Sequence, residues 1–301
     1  MPLRAPPTGA ERDAELDAPH CADARLPPTR ELFASAGFRL VASLGAGGSS
    51  EVWRALDEHG RSVALKIPRS GAQPHEALAR LEREHDVLAA VQHGHIVATY
   101  GLVRHREASA LVLEYLPGGD LVALAGTHPR HWLRAARGVY AALAHAHGCG
   151  YAHRDVKARN VLFDARGRAK LIDFASAMPL GAAARGGGTT AAHARPGCSP
   201  IVAAADDAYA YAVLLYELFA GRLPYGPGGR RAGRGAARTR LASPWRARRG
   251  PTAALAARVL DVLEAAEGDE PGLSVFADVL ESAVAAELEP AAAAELEPTG
   301  V

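Results

Sequence analysis

From Phe38 onward the chain alternates apolar and polar positions in short runs: FRLVASLG, SEVWRAL and RSVALKIP, separated by glycine-bearing turns at Gly45–Gly48 and Gly60. Alternation of this kind with glycine punctuation predicts a small antiparallel sheet. His75–Val91 then places Leu78, Leu81, Val87, Leu88 and Val91 at helical spacing amid charge. HIVATYGLVR and ALVLEYL return to strand character. After Pro117-Gly118-Gly119 the pattern turns helical, over Trp132–His147, Asp207–Ala220, Ala253–Ala266 and Leu273–Ala286. Two short apolar runs, Asn160–Phe163 and Ala169–Phe174, lie between the first two of these helices. A strand-rich segment of about 80 residues therefore precedes a helix-rich one of about 170, joined near Leu116–Asp120. Residues 1–30 are rich in Pro, Ala and charge without periodicity and read as a flexible leader, while 287–301 repeats AAELEP and reads as a low-complexity tail.

Composition adds exclusions. Hydrophobic residues make up 49% and charged residues 22%, enough to bury a core. A formal net charge of +1 excludes binding to polyanions by bulk charge, so no nucleic-acid partner is expected. Cys21, Cys149 and Cys198 are too few and scattered for a disulfide framework, which fits a reducing, cytoplasmic setting. The leader has no apolar core of a secretory signal. The most apolar stretch, Ala203–Ala220, is interrupted by Asp206, Asp207 and Glu217, so no membrane span is expected.

Finer counts direct attention to a few positions. The chain holds 31 Arg and 66 Ala but only three lysines (Lys66, Lys157, Lys170) and one asparagine, Asn160. Gly45-Ala46-Gly47-Gly48-Ser49-Ser50 lies between two strand-like runs and reads as a hairpin turn or a phosphate cradle. It is not a dinucleotide fingerprint, because SEVWRAL is not a helix, and no Gly-Lys-Ser or Gly-Lys-Thr string exists. Lys66, in Val63-Ala64-Leu65-Lys66, either snorkels at an edge or is held inward. A buried ammonium needs an anion, and of Glu76, Glu82 and Glu84 only Glu84 fits a side chain facing the sheet. His153-Arg154-Asp155-Val156-Lys157-Ala158-Arg159-Asn160 carries the second lysine and the asparagine, and Asp173 follows thirteen residues later. An Asp base, a nearby Lys, and Asn plus Asp as hard oxygen ligands suit magnesium-dependent phosphoryl transfer.

These motifs, in this order, resemble the protein kinase superfamily, specifically bacterial Ser/Thr kinases of the eukaryotic-like type, from about Phe38 to Ala286. The resemblance implies an α+β, bilobal protein-kinase-like fold over 31–286, with a small antiparallel β lobe (about 31–116) and a larger α-helical lobe (about 117–286). It implies Gly45, Gly47 and Val52 over ATP, Lys66 on the α/β-phosphates paired with Glu84, and Leu113 as gatekeeper. Glu114–Leu116 would form the adenine hinge, with Ala64 and Leu162 also meeting the nucleotide and Asp120 near the ribose. Asp155 would orient the attacking hydroxyl, Lys157 stabilise the transferring phosphate, and Asn160 and Asp173 hold Mg2+. Asp207 would support the catalytic loop. The implied reaction moves the ATP γ-phosphate to a Ser or Thr hydroxyl of a protein. A kinase-shaped ATP-binding scaffold and a small-molecule kinase are the alternatives.

The chain departs from the family pattern at Ala175, where Gly is usual, and at Ser50 in the glycine loop. Only ten residues separate Gly197 from Asp207, and the Ala-Pro-Glu motif is absent, with Ser199-Pro200-Ile201 nearest to it. The position of its arginine partner corresponds to Glu270, in a polar Glu267–Glu270 string that reads as an exposed loop. Thr189, Thr190 and Ser199 are candidate phosphosites, with Arg154 the residue type to receive such a phosphate. His145, His147, Cys149 and His153 are spaced to point to different faces and read as no metal site. Arg230–Arg249, with eight Arg and no acid, reads as a solvated loop.

Overall fold

In the computed structural model the described residues are 28–47, 49–69, 74–105, 108–184, 190, 192–195, 200–225, 250–265 and 271–288. Thr189, Ser199, Arg230–Arg249 and Glu267–Glu270 lie outside them. The chain divides into two compact units: residues up to Asp86 with Ala98–Gly119 and Phe163–Gly167, and then Val87–Val97 with Asp120–Leu162 and the chain from Arg168 onward.

The first unit is built on a five-stranded antiparallel sheet in the order β1-β2-β3-β5-β4. Its strands are β1 (Arg39–Ala46), β2 (Ser50–Leu56), β3 (Ser62–Pro68), β4 (Thr99–His105) and β5 (Ala108–Glu114). Helix α2 (Pro74–Ala90) lies between β3 and β4 in sequence. HIVATYGLVR yields strand only from Thr99, because Ile96 makes an isolated bridge and Gly101, at φ 126°, breaks the register. Strand β3 is buried from Val63 to Ile67, so its two faces meet different neighbours. On one face Val63, Leu65 and Ile67 pack with Leu40, Ala55, Ala110, Val112 and Phe33. Phe33 belongs to α1 (Pro28–Ser35), a helix that begins inside the stretch read as leader. Its eight residues, about two turns, are too short for a period to stand out, and its place is set by Phe33 having no exposed surface in this cluster.

The second unit is mostly helical: α3 (Leu133–Gly148), α4 (Ala204–Ala220), α5 (Pro251–Glu264) and α6 (Ala277–Leu288). Leu273–Phe276 is a 3-10 turn ahead of α6 rather than part of it. Short strands β6 (Tyr151–Ala152) and β9 (Met178–Pro179) pair antiparallel, and β7 (Val161–Phe163) pairs with β8 (Ala169–Leu171). Helix α4 is apolar on all sides and correspondingly buried, with Tyr211 donating its hydroxyl to the Ala136 carbonyl at 2.9 Å. Phe219 meets Trp132 edge-on at 4.8 Å, and Phe276 meets Tyr211 at 5.3 Å. Among the described residues no helix is long and apolar enough to cross a membrane.

Candidate active site

The sequence places Lys66 fifth of the seven residues of β3, and the pleat decides where it points. Val52 of β2 and Leu111 of β5 are its register partners, while Ala64, two residues earlier, shares its face and lies opposite Leu113. That face is opposite to the Phe33 cluster. Lys66 is 8% exposed and Glu84, on α2, 3%. Lys66 Nζ lies 2.8 and 2.7 Å from the two Glu84 carboxylate oxygens, a pairing that offsets the desolvation of each charge.

The glycine-bearing turn joins β1 to β2, with Gly45 opposite Val52 and Gly47 N–H donating to the Ser50 carbonyl at 2.7 Å. Neither Gly45 nor Gly47 adopts a positive φ. A Cβ at Gly45 would meet nothing within 4 Å, and one at Gly47 only the Ser50 carbonyl at 3.7 Å. The protein's own packing and backbone thus do not require glycine at either position. At the other end of the sheet, Glu114 and Ala98 bond reciprocally: the Glu114 N–H reaches the Ala98 carbonyl at 2.9 Å, and the Ala98 N–H reaches the Glu114 carboxylate at 3.2 Å. Leu116 is buried.

In the second unit the loop from His153 to Asn160 hangs on Asp207, in the first turn of α4. Asp207 has no exposed surface and accepts from the backbone N–H groups of His153 at 2.8 Å and Arg154 at 2.7 Å, and pairs with His147 Nε2 at 2.8 Å. Burial alone would raise its pKa, but the His147 bond and its neighbours hold the carboxyl below the usual range. The anchoring bends Arg154 to φ 66°, a left-handed conformation that a non-glycine residue adopts at some cost. Its guanidinium lies against Met178 Sδ.

His153 ties the loop to the Asp173 segment. Its Nδ1 accepts from the Asp155 N–H at 3.2 Å, which leaves Nε2 to donate to the Ile172 carbonyl at 3.0 Å, and Phe174 stands edge-on to the ring at 4.6 Å. The Ile172 N–H donates to the Asn160 carbonyl at 2.9 Å, so the segments bearing Asn160 and Asp173 are joined. Asp173 is left-handed at φ 64°. Ala175 sits in a 3-10 turn with no positive φ, so this arrangement makes no demand for the usual glycine. Asp120 caps a 3-10 turn and bridges Leu162.

Asp155 is the centre of the site. Lys157 Nζ lies 2.7 Å from its Oδ2, and Asn160 Nδ2 donates to Oδ2 at 3.0 Å and to the Asp155 carbonyl at 2.8 Å. Thr190 donates its hydroxyl to Oδ1 at 2.6 Å and accepts from Lys157 Nζ at 3.0 Å. Burial raises the Asp155 pKa, but the bonds from Lys157, Thr190 and Asn160 hold it below the ordinary range. Thr190, one of the candidate phosphosites, thus has its hydroxyl on this carboxylate. His193, on the same turn, carried no sequence signal at all. Among the described residues no group of three His, Cys, Asp or Glu side chains could hold a metal.

The chain matches the protein kinase domain over residues 38–242. It is 31% identical over 212 residues to serine/threonine-protein kinase PrkC of Bacillus subtilis, covering 64% of this chain and 31% of that protein. It is 33% identical over 214 residues to serine/threonine-protein kinase PknL of Mycobacterium tuberculosis, covering 66% and 53%, and 35% identical over 225 residues to CBL-interacting protein kinase 22 of Oryza sativa, covering 64% and 50%. The chain thus spans about a third of the length of PrkC and about half that of the other two. With the family's match covering more than half of its length, and the Lys66–Glu84 pair and the Asp155 loop both in place, the chain belongs to the protein kinase domain family.

Proposed function

We propose that this chain is an ATP-dependent Ser/Thr protein kinase. The observation that carries the reading is the Thr190 hydroxyl on Asp155 Oδ1 at 2.6 Å with Lys157 Nζ 3.0 Å from the same hydroxyl oxygen. An aliphatic alcohol is thereby seated on a carboxylate beside a cation, which is the environment a phosphoacceptor Ser or Thr needs.

In the reaction, Lys66, held by Glu84, binds the α/β-phosphates, and the open space at Gly45 and Gly47 lets backbone N–H groups approach them. Val52, Ala64, Glu114 and Leu116 are assigned to the adenine. Asp155 accepts the hydrogen bond of the substrate hydroxyl and orients its oxygen. That oxygen bonds to the γ-phosphorus while the bond from phosphorus to the β–γ bridging oxygen breaks. The electron pair leaves with ADP, and the hydroxyl proton passes to the Asp155 carboxylate. Lys157 offsets the charge on the phosphoryl oxygens. Asn160 turns its amide hydrogens onto Asp155, which leaves Oδ1, together with the Asp173 carboxylate, as hard oxygen donors suited to magnesium. A bound magnesium ion would neutralise phosphate charge.

The test is transfer of label from γ-labelled ATP to a generic protein substrate, with Asp155→Asn as the control. Label on protein Ser or Thr that Asp155→Asn loses supports the reading. Nucleotide binding without transfer would instead mark an ATP-binding scaffold, and label on small alcohols alone a small-molecule kinase.

A further inference from the structure

Asp155 has no acceptor site to spare. Oδ2 takes Lys157 Nζ at 2.7 Å and Asn160 Nδ2 at 3.0 Å, while Oδ1 takes the Thr190 hydroxyl at 2.6 Å and the Thr190 N–H at 3.3 Å. A carboxylate offers about four lone-pair sites, and all four are used. On the reading above, an incoming hydroxyl must reach this carboxylate, so one donor has to give way. Lys157 and Asn160 belong to the same loop as Asp155, and Asn160 is doubly bound to that residue. Thr190 comes from another segment, and its hydroxyl is the one neutral rotor of the set. Once displaced, that hydroxyl needs a new acceptor, because a half-buried polar group left without one is costly.

An acceptor stands three residues further along the same turn. His193 donates its N–H to the Thr190 carbonyl at 2.8 Å, which closes the turn and keeps the two residues together. His193 is 5% exposed, and neither ring nitrogen has a hydrogen-bond partner among the described residues. Two unpartnered nitrogens on a buried ring call for an explanation in a native fold. Burial brings the ring's pKa down to about 4, against the pull of Asp155 and with the help of Lys157, so at neutral pH one nitrogen is a bare acceptor. We propose that His193 is a positioning residue, which takes over the Thr190 hydroxyl when the substrate hydroxyl replaces it on Asp155. This rests on the kinase reading.

Peptide phosphorylation by the full chain with MgATP tests it, using His193→Phe, His193→Gln, Thr190→Ala and the Thr190→Ala/His193→Phe double variant. Wild-type transfer above the Asp155→Asn background is the first reading, and its absence overturns both proposals. Given transfer, His193→Phe lowers kcat about tenfold, the worth of one neutral hydrogen bond, with ATP KM unchanged. His193→Gln, which restores an acceptor, recovers most of that loss. In the Thr190→Ala background His193→Phe has no further effect, since no hydroxyl is left to rehouse. Wild-type kcat in His193→Phe, failure of Gln to rescue, or independent effects of the two substitutions each overturn the role of His193 while leaving the kinase reading intact. Urea unfolding accompanies each variant. Replacing an unpartnered imidazole by Phe leaves stability equal or higher, so a lower kcat together with lower stability and no rescue by Gln assigns His193 to packing and overturns the proposal.

Discussion

Lys66 and His193 are both buried ionisable groups, in different surroundings. Lys66 has an acidic partner, with both Glu84 carboxylate oxygens within 2.8 Å of Nζ. Lys66→Met should abolish phosphoryl transfer, measured as label incorporation, while the far-ultraviolet circular dichroism stays that of the wild type. Unchanged turnover would remove this lysine from the site. His193 has no such partner and refuses its proton until about pH 4, whereas the unfolded chain takes one up near 6.5. Below 6.5 the unfolded state therefore binds more protons, and stability falls as pH drops from 6.5 towards 4, then levels for this group. The loss is on the order of 2–4 kcal/mol. His93, also held low by burial and its neighbours, acts in the same window, so the measurement is the difference between wild type and His193→Phe. Urea unfolding at pH 7, 5.5 and 4.5 should show a shallower acid slope in the variant. Parallel slopes would mean that His193 titrates normally.

At the scale of elements, α1 and α4 show what sequence periodicity reaches. Helix α4 was legible because seventeen residues of almost unbroken apolar character end in Gly221, whose φ of 68° makes a left-handed cap. Helix α1 was not, since eight residues carry too little periodicity to separate it from a leader. Its burial comes from the sheet it meets. Phe33→Ala should cost about 3–5 kcal/mol in chemical denaturation, the range for a fully buried aromatic. A cost under 1 kcal/mol would show that α1 is an appendage. The Asp207 anchor has a comparable weight: Asp207→Ala strands the buried N–H of His153, worth about 1–3 kcal/mol, and the partly buried N–H of Arg154. Transfer activity should fall with it, because Asp155 hangs on the same loop.

For the whole molecule, nucleotide binding is a stability term as well as a step in catalysis. A ligand at a hundred times its Kd adds about 2.7 kcal/mol to the native state, which thermal unfolding with and without MgATP would read as a raised Tm. Asp173→Ala should lose most of the magnesium-dependent part of that rise and Asn160→Ala less, since only the aspartate brings charge to the ion. Equal, wild-type-like rises in both variants, with magnesium titrated against them, would reject these ligands.

The sequence alone determined the strand-rich and helix-rich division, the apolar α4 and the order of the chemical motifs, and it narrowed Lys66 to an edge or an inward position. Each of these is carried by local pattern: a period of two or 3.6, a glycine, or a rare residue type at a telling position. Even Glu84 could be chosen over Glu76 and Glu82, because only it continues the apolar face of α2. What local pattern does not contain is which distant residue completes a bond. That Asp207 holds His153 and Arg154 from more than fifty positions away was set by packing of α4. The seating of Thr190 on Asp155, 35 residues apart, and the unpartnered ring of His193 beside them likewise depend on where the chain returns. A hydrogen bond is a matter of ångströms, and over such separations only the folded backbone fixes distances that fine.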